Sequence, residues 1–138
     1  MRFTMRFLIN CFILSSLIFN ISTTNAKTCT PSKHSVVPNI TNKSYHQARK
    51  LLIANQWQPI RTININTAKD DLMYSGNGWE FWKNGYIEIE TCSGTGYAPC
   101  IFNFKDIYGN TLKIYTEGED LPKEKIYATV SEYEFSCK

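Results

Sequence analysis

The segment from residue 92 to residue 100, Cys-Ser-Gly-Thr-Gly-Tyr-Ala-Pro-Cys, has the residue types best suited to a binding surface. A disulfide can close it, and its glycines permit tight turns in which N–H groups converge on an anion or a side chain faces a partner. A plain disulfide-closed connection between two strands explains the same pattern, so both interpretations stay open. The candidate binding residues are Ser93, Gly94, Thr95, Gly96 and Tyr97.

No catalytic residue is predicted. Ser93 and Thr95 have no base nearby in the sequence, and no Gly-Lys-Ser/Thr follows them, so neither a nucleophile nor a phosphate-binding P-loop is indicated. His34 and His46 are the only histidines, and both are predicted to lie at the surface. The chain has no Cys-x-x-Cys pair, so we expect neither a metal nor a cofactor.

Two acidic groups need a separate interpretation. Glu88 and Glu90 alternate along a predicted strand and so share one face, while Glu117, Glu119 and Asp120 share a turn. Paired carboxylates can hydrolyse glycosidic bonds or bind Ca²⁺. A glycosidase also needs a deep cleft, which a domain of this size accommodates with difficulty. We therefore expect a solvated strand face and a solvated turn, with a small hydrolase as the least favoured class.

Trp79, Phe81 and Trp82 form an aromatic group that could serve as a platform for a sugar or a peptide. The alternative is core packing, because a small domain needs large side chains to bury enough apolar area. We expect Trp82 in the core and Trp79 to be the more exposed of the two tryptophans, which adds Trp79 to the candidate binding residues.

The start of the chain predicts export. Arg2 and Arg6 precede an uncharged, mostly apolar run of 13 residues, Phe7–Phe19, and Thr24-Asn25-Ala26 is a small-x-small cleavage signal. The run is too short to span a membrane. We predict a signal peptide at 1–26, a single domain at 27–138 in the periplasm or outside the cell, and no stable membrane insertion after cleavage.

Charge and cysteine content fit this compartment. The whole chain has 15 basic and 12 acidic residues, and Arg2 and Arg6 belong to the predicted signal, which leaves 13 basic residues and a net charge of +1. That balance argues against a nucleic-acid partner. Four cysteines in a small exported domain indicate two disulfides, with three pairings open. We favour Cys92–Cys100 together with Cys29–Cys137.

Hydrophobic periodicity predicts an α+β fold with one or two helices packed on one face of an antiparallel sheet of about four to five strands, stapled by disulfides. Ser44 and Gln47 form a capping box for a helix that ends near Asn55. The other predicted elements are a strand starting after Ile60, a loop at 66–78, a helix at 79–83, and strands at 86–91, 100–105, from Leu112, and at 126–135 with a bulge between Val130 and Tyr133.

Two resemblances accompany these patterns. Gly85–Cys92, Ser-Gly-Thr-Gly and Pro99-Cys100 before Phe102 resemble a family of small exported bacterial proteins of unassigned function. That match covers roughly residues 44–117 and implies export without implying an activity. Residues 37–59, with Val-Pro-Asn-Ile at their start, are similar to the opening of a PASTA domain, a module that binds the cell wall.

The resulting expectation is a non-catalytic periplasmic or secreted interaction protein, with an inhibitor or immunity protein for an envelope-acting enzyme as its specific form. Its surface is expected around Tyr97 and the loop at 66–78. Its partner would be a protein of the cell envelope or an exported enzyme. The alternative is a module that binds fragments of peptidoglycan, through residues 37–59.

Overall fold

The computed structural model describes residues 29–62 and 76–136. The predicted signal peptide, the strand expected around Ile63 and Ile65, residues 66–75 of the predicted loop, and Cys137 lie outside the described residues. The elements, in chain order, are α1 (Tyr45–Ala54), β1 (Gln58–Pro59), α2 (Gly76–Lys83), β2 (Ile89–Cys92), β3 (Cys100–Lys105), β4 (Thr111–Glu117), a short 3-10 helix (Pro122–Glu124) and β5 (Thr129–Ser136).

The described strands form one antiparallel sheet in the order β1-β3-β4-β5. β2 also pairs with β3, and it uses the other end of the same edge: Gln58 lies opposite Lys105, whereas Cys92 lies opposite Cys100. The two short strands therefore share one side of β3. This arrangement confirms the predicted α+β class and the antiparallel sheet.

Both helices pack on the same face of this sheet. Tyr45 of α1 stacks on Phe102 of β3 with 3.6 Å between ring centroids, and Phe81 of α2 meets Phe102 edge-on at 5.0 Å. All three side chains are at most 1% exposed. Ile114 pairs with Phe102 in the neighbouring strand and extends the core along β4. These inward-facing side chains confirm that apolar residues alternate along β3 and β4 as predicted.

Helix α1 begins where it was predicted, after Ser44, and the chain leaves the helix through Gln56. The Ser44 side chain accepts a hydrogen bond from the Gln47 N–H, as a capping box requires. Asn55, where the helix was predicted to end, has a φ of −101°, and the residue with a positive φ, 68°, is Gln56. The chain turns one residue later because the Trp57 N–H bonds back to the Leu52 carbonyl. This bond aims the Trp57 ring into the core.

The structure has a short strand that the sequence did not predict, because Gln58 and Pro59 lie opposite Lys105 and Phe104 of β3. The strand expected after Ile60, around Ile63 and Ile65, stays a prediction outside the described residues. The strand predicted at 86–91 begins three residues later, at Ile89. The helix expected at 79–83 begins at Gly76, a turn earlier, so 76–78 are not loop. The side chain of Asn77, in this extra turn, bonds to backbone groups of two other segments.

The bulge predicted in the last strand is confirmed. Tyr115 lies opposite Glu132 and Thr116 lies opposite Val130, so Ser131 is the extra residue of β5. The Ser131 hydroxyl bonds to the Tyr115 carbonyl. The strand itself starts at Thr129, three residues after the predicted position.

The segment before α1 is fastened to the β3–β4 turn by a buried carboxylate. Asp106 accepts four N–H hydrogen bonds of 2.8–3.0 Å, from the backbone of Ser35, Tyr108 and Asn110 and from the Asn110 side chain. Burial alone would raise the pKa of Asp106, but these hydrogen bonds lower it below its ordinary value. One side chain therefore holds two distant segments together.

Candidate functional site

The Cys92–Cys100 disulfide is present, which confirms this predicted pair. The two cysteines lie opposite each other where β2 and β3 pair, with Cα atoms 4.1 Å apart, and both are buried. Cys29 is also disulfide-bonded. Because Cys92 and Cys100 are bonded to each other, neither can be the disulfide partner of Cys29. The predicted bond from Cys29 to Cys137 lies outside the described residues.

Residues 93–99 form the stapled loop between the two cysteines, and hydrogen bonds fix its shape. The Ser93 N–H bonds to the Pro99 carbonyl at 2.8 Å, just beyond the disulfide. The Ala98 N–H bonds to the Thr95 carbonyl, and Gly96 between them has a φ of +67°. A glycine fits there because a positive φ strains residues that carry a Cβ.

Two other segments hold the stapled loop from outside. The Gly118 N–H, just after β4, donates to the Tyr97 carbonyl at 2.6 Å. The Asn77 amide group, in the first turn of α2, donates to the carbonyls of Ala98 and Gly118 at 3.4 and 2.9 Å. The backbone on both sides of the Tyr97 side chain is therefore positioned by the rest of the fold.

The predicted binding residues fall into two groups. Gly94, Thr95, Gly96 and Tyr97 are exposed and adjacent, and Tyr97 is 80% exposed, more than any other large hydrophobic residue that the structure describes. Trp79 lies in α2, two residues after Asn77, so the helix that carries it is tied to the stapled loop. Trp79 and Trp82 are both partly buried, and the fully buried aromatic of this helix is Phe81.

Hydrogen bonds within the stapled loop use some of the groups that an anion site would need. Three N–H groups of the loop, those of Ser93, Thr95 and Ala98, are used inside the loop itself. The Ser93 hydroxyl is also occupied locally, since it bonds to the carbonyl and the hydroxyl of Thr95. The large exposed side chain of the loop is that of Tyr97.

A second cluster was missed in the sequence, and it contains His46. This histidine was expected at the surface, but its side chain is only 24% exposed and both ring nitrogens are occupied. Nε2 lies 3.0 Å from both carboxylate oxygens of Asp120, and Nδ1 bonds to the Tyr86 hydroxyl. Asp120, expected in a solvated turn, is 2% exposed. Its Oδ1 also accepts the Ala128 N–H, so the β4–β5 connection folds inward around it.

Glu88 was predicted to lie on a solvated strand face, and this prediction was wrong. It is fully buried and bonds to the Tyr45 hydroxyl at 2.8 Å and to the Arg49 guanidinium. Burial and the charge of Glu88 raise the pKa of Tyr45 well above its ordinary value. Burial alone would lower the pKa of Arg49, but the hydrogen bond and charge of Glu88 raise it. The group is a buried, hydrogen-bonded ion pair.

Glu90 lies on the opposite side of the sheet from Glu88, so the two do not share a face. Its carboxylate bonds to the Asn103 amide at 2.7 Å and to the Lys113 ammonium at 3.0 Å. Burial alone would raise the pKa of Glu90, but these two partners lower it. The register shift between Ile89 and Thr91 and the turn before β2 break the expected alternation. Glu117 and Glu119 are exposed, as predicted.

Residues 29–62 and 76–136 contain no group of three or more histidine, cysteine, aspartate or glutamate side chains arranged to hold a metal ion. In the same ranges no helix is long and apolar enough to cross a membrane. Comparison of the chain with known proteins gives no matching family model, no matching curated protein and no matching solved structure.

Proposed function

We propose that this protein is a non-catalytic interaction protein of the periplasm or the cell exterior, and that it binds another protein through the stapled loop. One observation carries the proposal. Tyr97 is 80% exposed, yet the loop that bears it is fixed by the Cys92–Cys100 disulfide and by the Gly118 N–H. A large side chain is thus held outward on a rigid support.

This arrangement has the properties of an interface anchor. Tyrosine supplies a large contact area with a polar tip, and it is enriched among the residues that dominate binding energy. A loop that is already ordered loses little conformational entropy on binding. The fold holds this loop through Asn77 and Gly118 as well as through the disulfide.

The specific form of the proposal is an inhibitor or immunity protein for an enzyme that acts on the cell envelope. Preorganised complexes of this kind form with little backbone movement, which suits a loop closed by a disulfide. Tyr97 would enter a cleft of the enzyme, and the exposed glycines on its N-terminal side, Gly94 and Gly96, would allow close approach of the two backbones.

The test uses the exported protein as an affinity bait in envelope extract. Three baits are compared: the wild type, Tyr97→Ala, and Tyr108→Ala as the matched control. Tyr108 is 46% exposed, and it lies in the turn at the opposite end of β3 from the stapled loop. We expect wild type and Tyr108→Ala to retain the same protein, and Tyr97→Ala to retain at least about tenfold less of it.

Two results would contradict the proposal. One is equal capture of every protein by Tyr97→Ala and wild type. The other is co-sedimentation with purified peptidoglycan in the absence of any protein partner, which would favour the wall-binding alternative.

A further inference from the structure

A pocket of about 680 Å³ lies beside the His46 cluster, between the start of α1, the end of α2 and the 3-10 helix. Its volume is in the range of small-ligand sites. Asp120, His46 and Tyr86 line it from inside the fold, and none of them belongs to the stapled loop. The remaining lining residues are Glu80, Lys83, Asn84, Leu121, Pro122, Lys123 and Glu124.

With Asp120 ionised and His46 neutral, the hydrogen bonds of the cluster define where its protons lie. An ionised carboxylate only accepts hydrogen bonds, so the Nε2 atom of His46, at 3.0 Å from both oxygens of Asp120, must carry a proton. In the neutral imidazole Nδ1 then has a lone pair and accepts the proton of the Tyr86 hydroxyl. Asp120 thereby sets the tautomer of His46, and His46 sets the direction of the Tyr86 hydroxyl.

The consequence concerns the Tyr86 oxygen, which lines the pocket. In this protonation state its own proton is committed to His46, so it can only accept a further hydrogen bond. Burial, together with the charges of Asp120 and Glu88, raises the pKa of Tyr86 despite the opposing charge of Arg49, so the hydroxyl keeps its proton. A ligand that reaches this atom must therefore bring a donor.

The charges around the pocket also favour a donor that is a cation. Its lining has three carboxylates, those of Glu80, Asp120 and Glu124, against two ammonium groups, those of Lys83 and Lys123. Lys83 and Glu80 are paired with each other at 2.6 Å and their charges cancel, which leaves Asp120 and Glu124 against Lys123. Outside the lining, the Arg49 guanidinium covers the Tyr86 ring and is paired with Glu88. The C-terminal end of α2, which borders the pocket, adds a partial negative charge.

We propose that this pocket binds a primary ammonium group, with the Tyr86 oxygen as acceptor and the rim carboxylates as counter-charges. The site goes beyond the proposed function, because it is made of different residues. Two sources share this chemistry: the α-ammonium of a peptide N-terminus and the side-chain ammonium of a lysine-like residue.

The test is a titration of the isotope-labelled exported protein followed by NMR. The probes are trialanine amide, with one N-terminal ammonium, Nα-acetyl-lysine amide, with one side-chain ammonium, and Nα-acetyl-trialanine amide, with none. We expect one of the first two to shift the resonances of His46, Tyr86 and Lys123 in a saturable way. The uncharged probe should not do so, and the responding probe identifies the source of the ammonium.

Two variants test the role assigned to the cluster. Tyr86→Phe removes the acceptor and should weaken binding at least about tenfold, the usual effect of losing a hydrogen bond to a charged group. Asp120→Asn places an amide beside Nε2, and its carbonyl oxygen can still accept the Ala128 N–H. The substitution also removes a carboxylate charge from the pocket lining, so binding should again fall, and the ¹⁵N shifts of the ring report whether the amide oxygen or the amide nitrogen faces Nε2.

Tyr115→Phe is the matched control, because it removes a hydroxyl that bonds to Glu134 on the far face of the sheet. It should bind like wild type. The proposal is overturned if neither ammonium probe binds at millimolar concentration, or if the uncharged probe binds equally well. It is also overturned if Tyr86→Phe, folded by its amide spectrum, binds as tightly as the control.

Discussion

Cys92 and Cys100 lie directly opposite each other at the end of the β2–β3 ladder, with their Cα atoms 4.1 Å apart. The strand pairing itself places the two cysteines side by side, so the bond closes the loop at its base. Because Ser93 bonds to Pro99 immediately beyond the cysteines, the loop is fixed at its base twice.

We predict that Cys92→Ala combined with Cys100→Ala leaves a folded protein that is less stable by about 2.6 kcal/mol, the loop-closure entropy for a link of this length. Denaturant unfolding measures the loss, and non-reducing peptide mapping of the wild type checks the pairing. A peptide joining Cys29 to either of these cysteines would contradict the prediction. So would an unfolded double variant.

The aromatic residues of α2 should differ in their effect on stability. Phe81 is 1% exposed and meets Phe102 and Tyr45 edge-on, so Phe81→Ala should cost about 3–5 kcal/mol. Trp82 is partly buried and covered by Arg61, so Trp82→Ala should cost about 1–2 kcal/mol. Urea unfolding measures the free energy of unfolding of both variants. A larger loss of stability for Trp82→Ala than for Phe81→Ala would show that Trp82, and not Phe81, is the main core residue of this helix.

The ion pair between Arg49 and Glu88 should matter far more than an exposed pair. Arg49→Met leaves the fully buried Glu88 carboxylate with the Tyr45 hydroxyl as its one side-chain partner among residues 29–62 and 76–136, which should cost about 3 kcal/mol. Adding Glu88→Gln to Arg49→Met should recover part of that loss, since no charge is then left buried. Lys83→Met, which breaks the exposed pair with Glu80, is the control and should stay within about 0.5 kcal/mol of wild type. Equal losses in both single variants would refute the distinction.

Asp106 should make the stability of the fold depend on pH in the acidic range. Its pKa is lower in the folded state than in the unfolded chain, so it binds protons less readily when folded and stabilises the fold at neutral pH. That contribution is complete above the ordinary carboxyl pKa of about 3.9 and is lost as the pH falls through the lower native value. The stability difference between wild type and Asp106→Asn should therefore shrink below about pH 4. A difference that stays constant from pH 7 to pH 2 would show that the charge of Asp106 is not involved.

The elements that the sequence predicted well are those whose pattern is local. The capping box of Ser44 and Gln47 fixes the start of α1, and strict alternation places Cys100–Lys105 in a strand with the observed bounds. The change of apolar phase after Val130 located the bulge in β5. The disulfide at 92 and 100 followed from spacing, since the strands resume immediately beyond each cysteine.

What the sequence did not predict depends on contacts between distant residues. Alternation put Glu88 and Glu90 on one face, but Arg49, 39 positions away, draws Glu88 into the core. His46 and Asp120 are 74 positions apart, so no spacing in the sequence indicates that they bond to each other. The one local signal was Asp120 at the end of an acidic turn, and only its neighbours in space distinguish it from the exposed Glu119.

Photo-crosslinking from the stapled loop measures directly whether the side chain at position 97 contacts a protein partner. A photoreactive phenylalanine analogue replaces Tyr97 in one protein and Tyr108 in another, and each is expressed in the source cell and irradiated. If Tyr97 lies in the interface, we expect one dominant crosslinked protein from position 97 and none of that protein from position 108. Identical crosslink patterns from the two positions, or no protein crosslink from position 97, would contradict it.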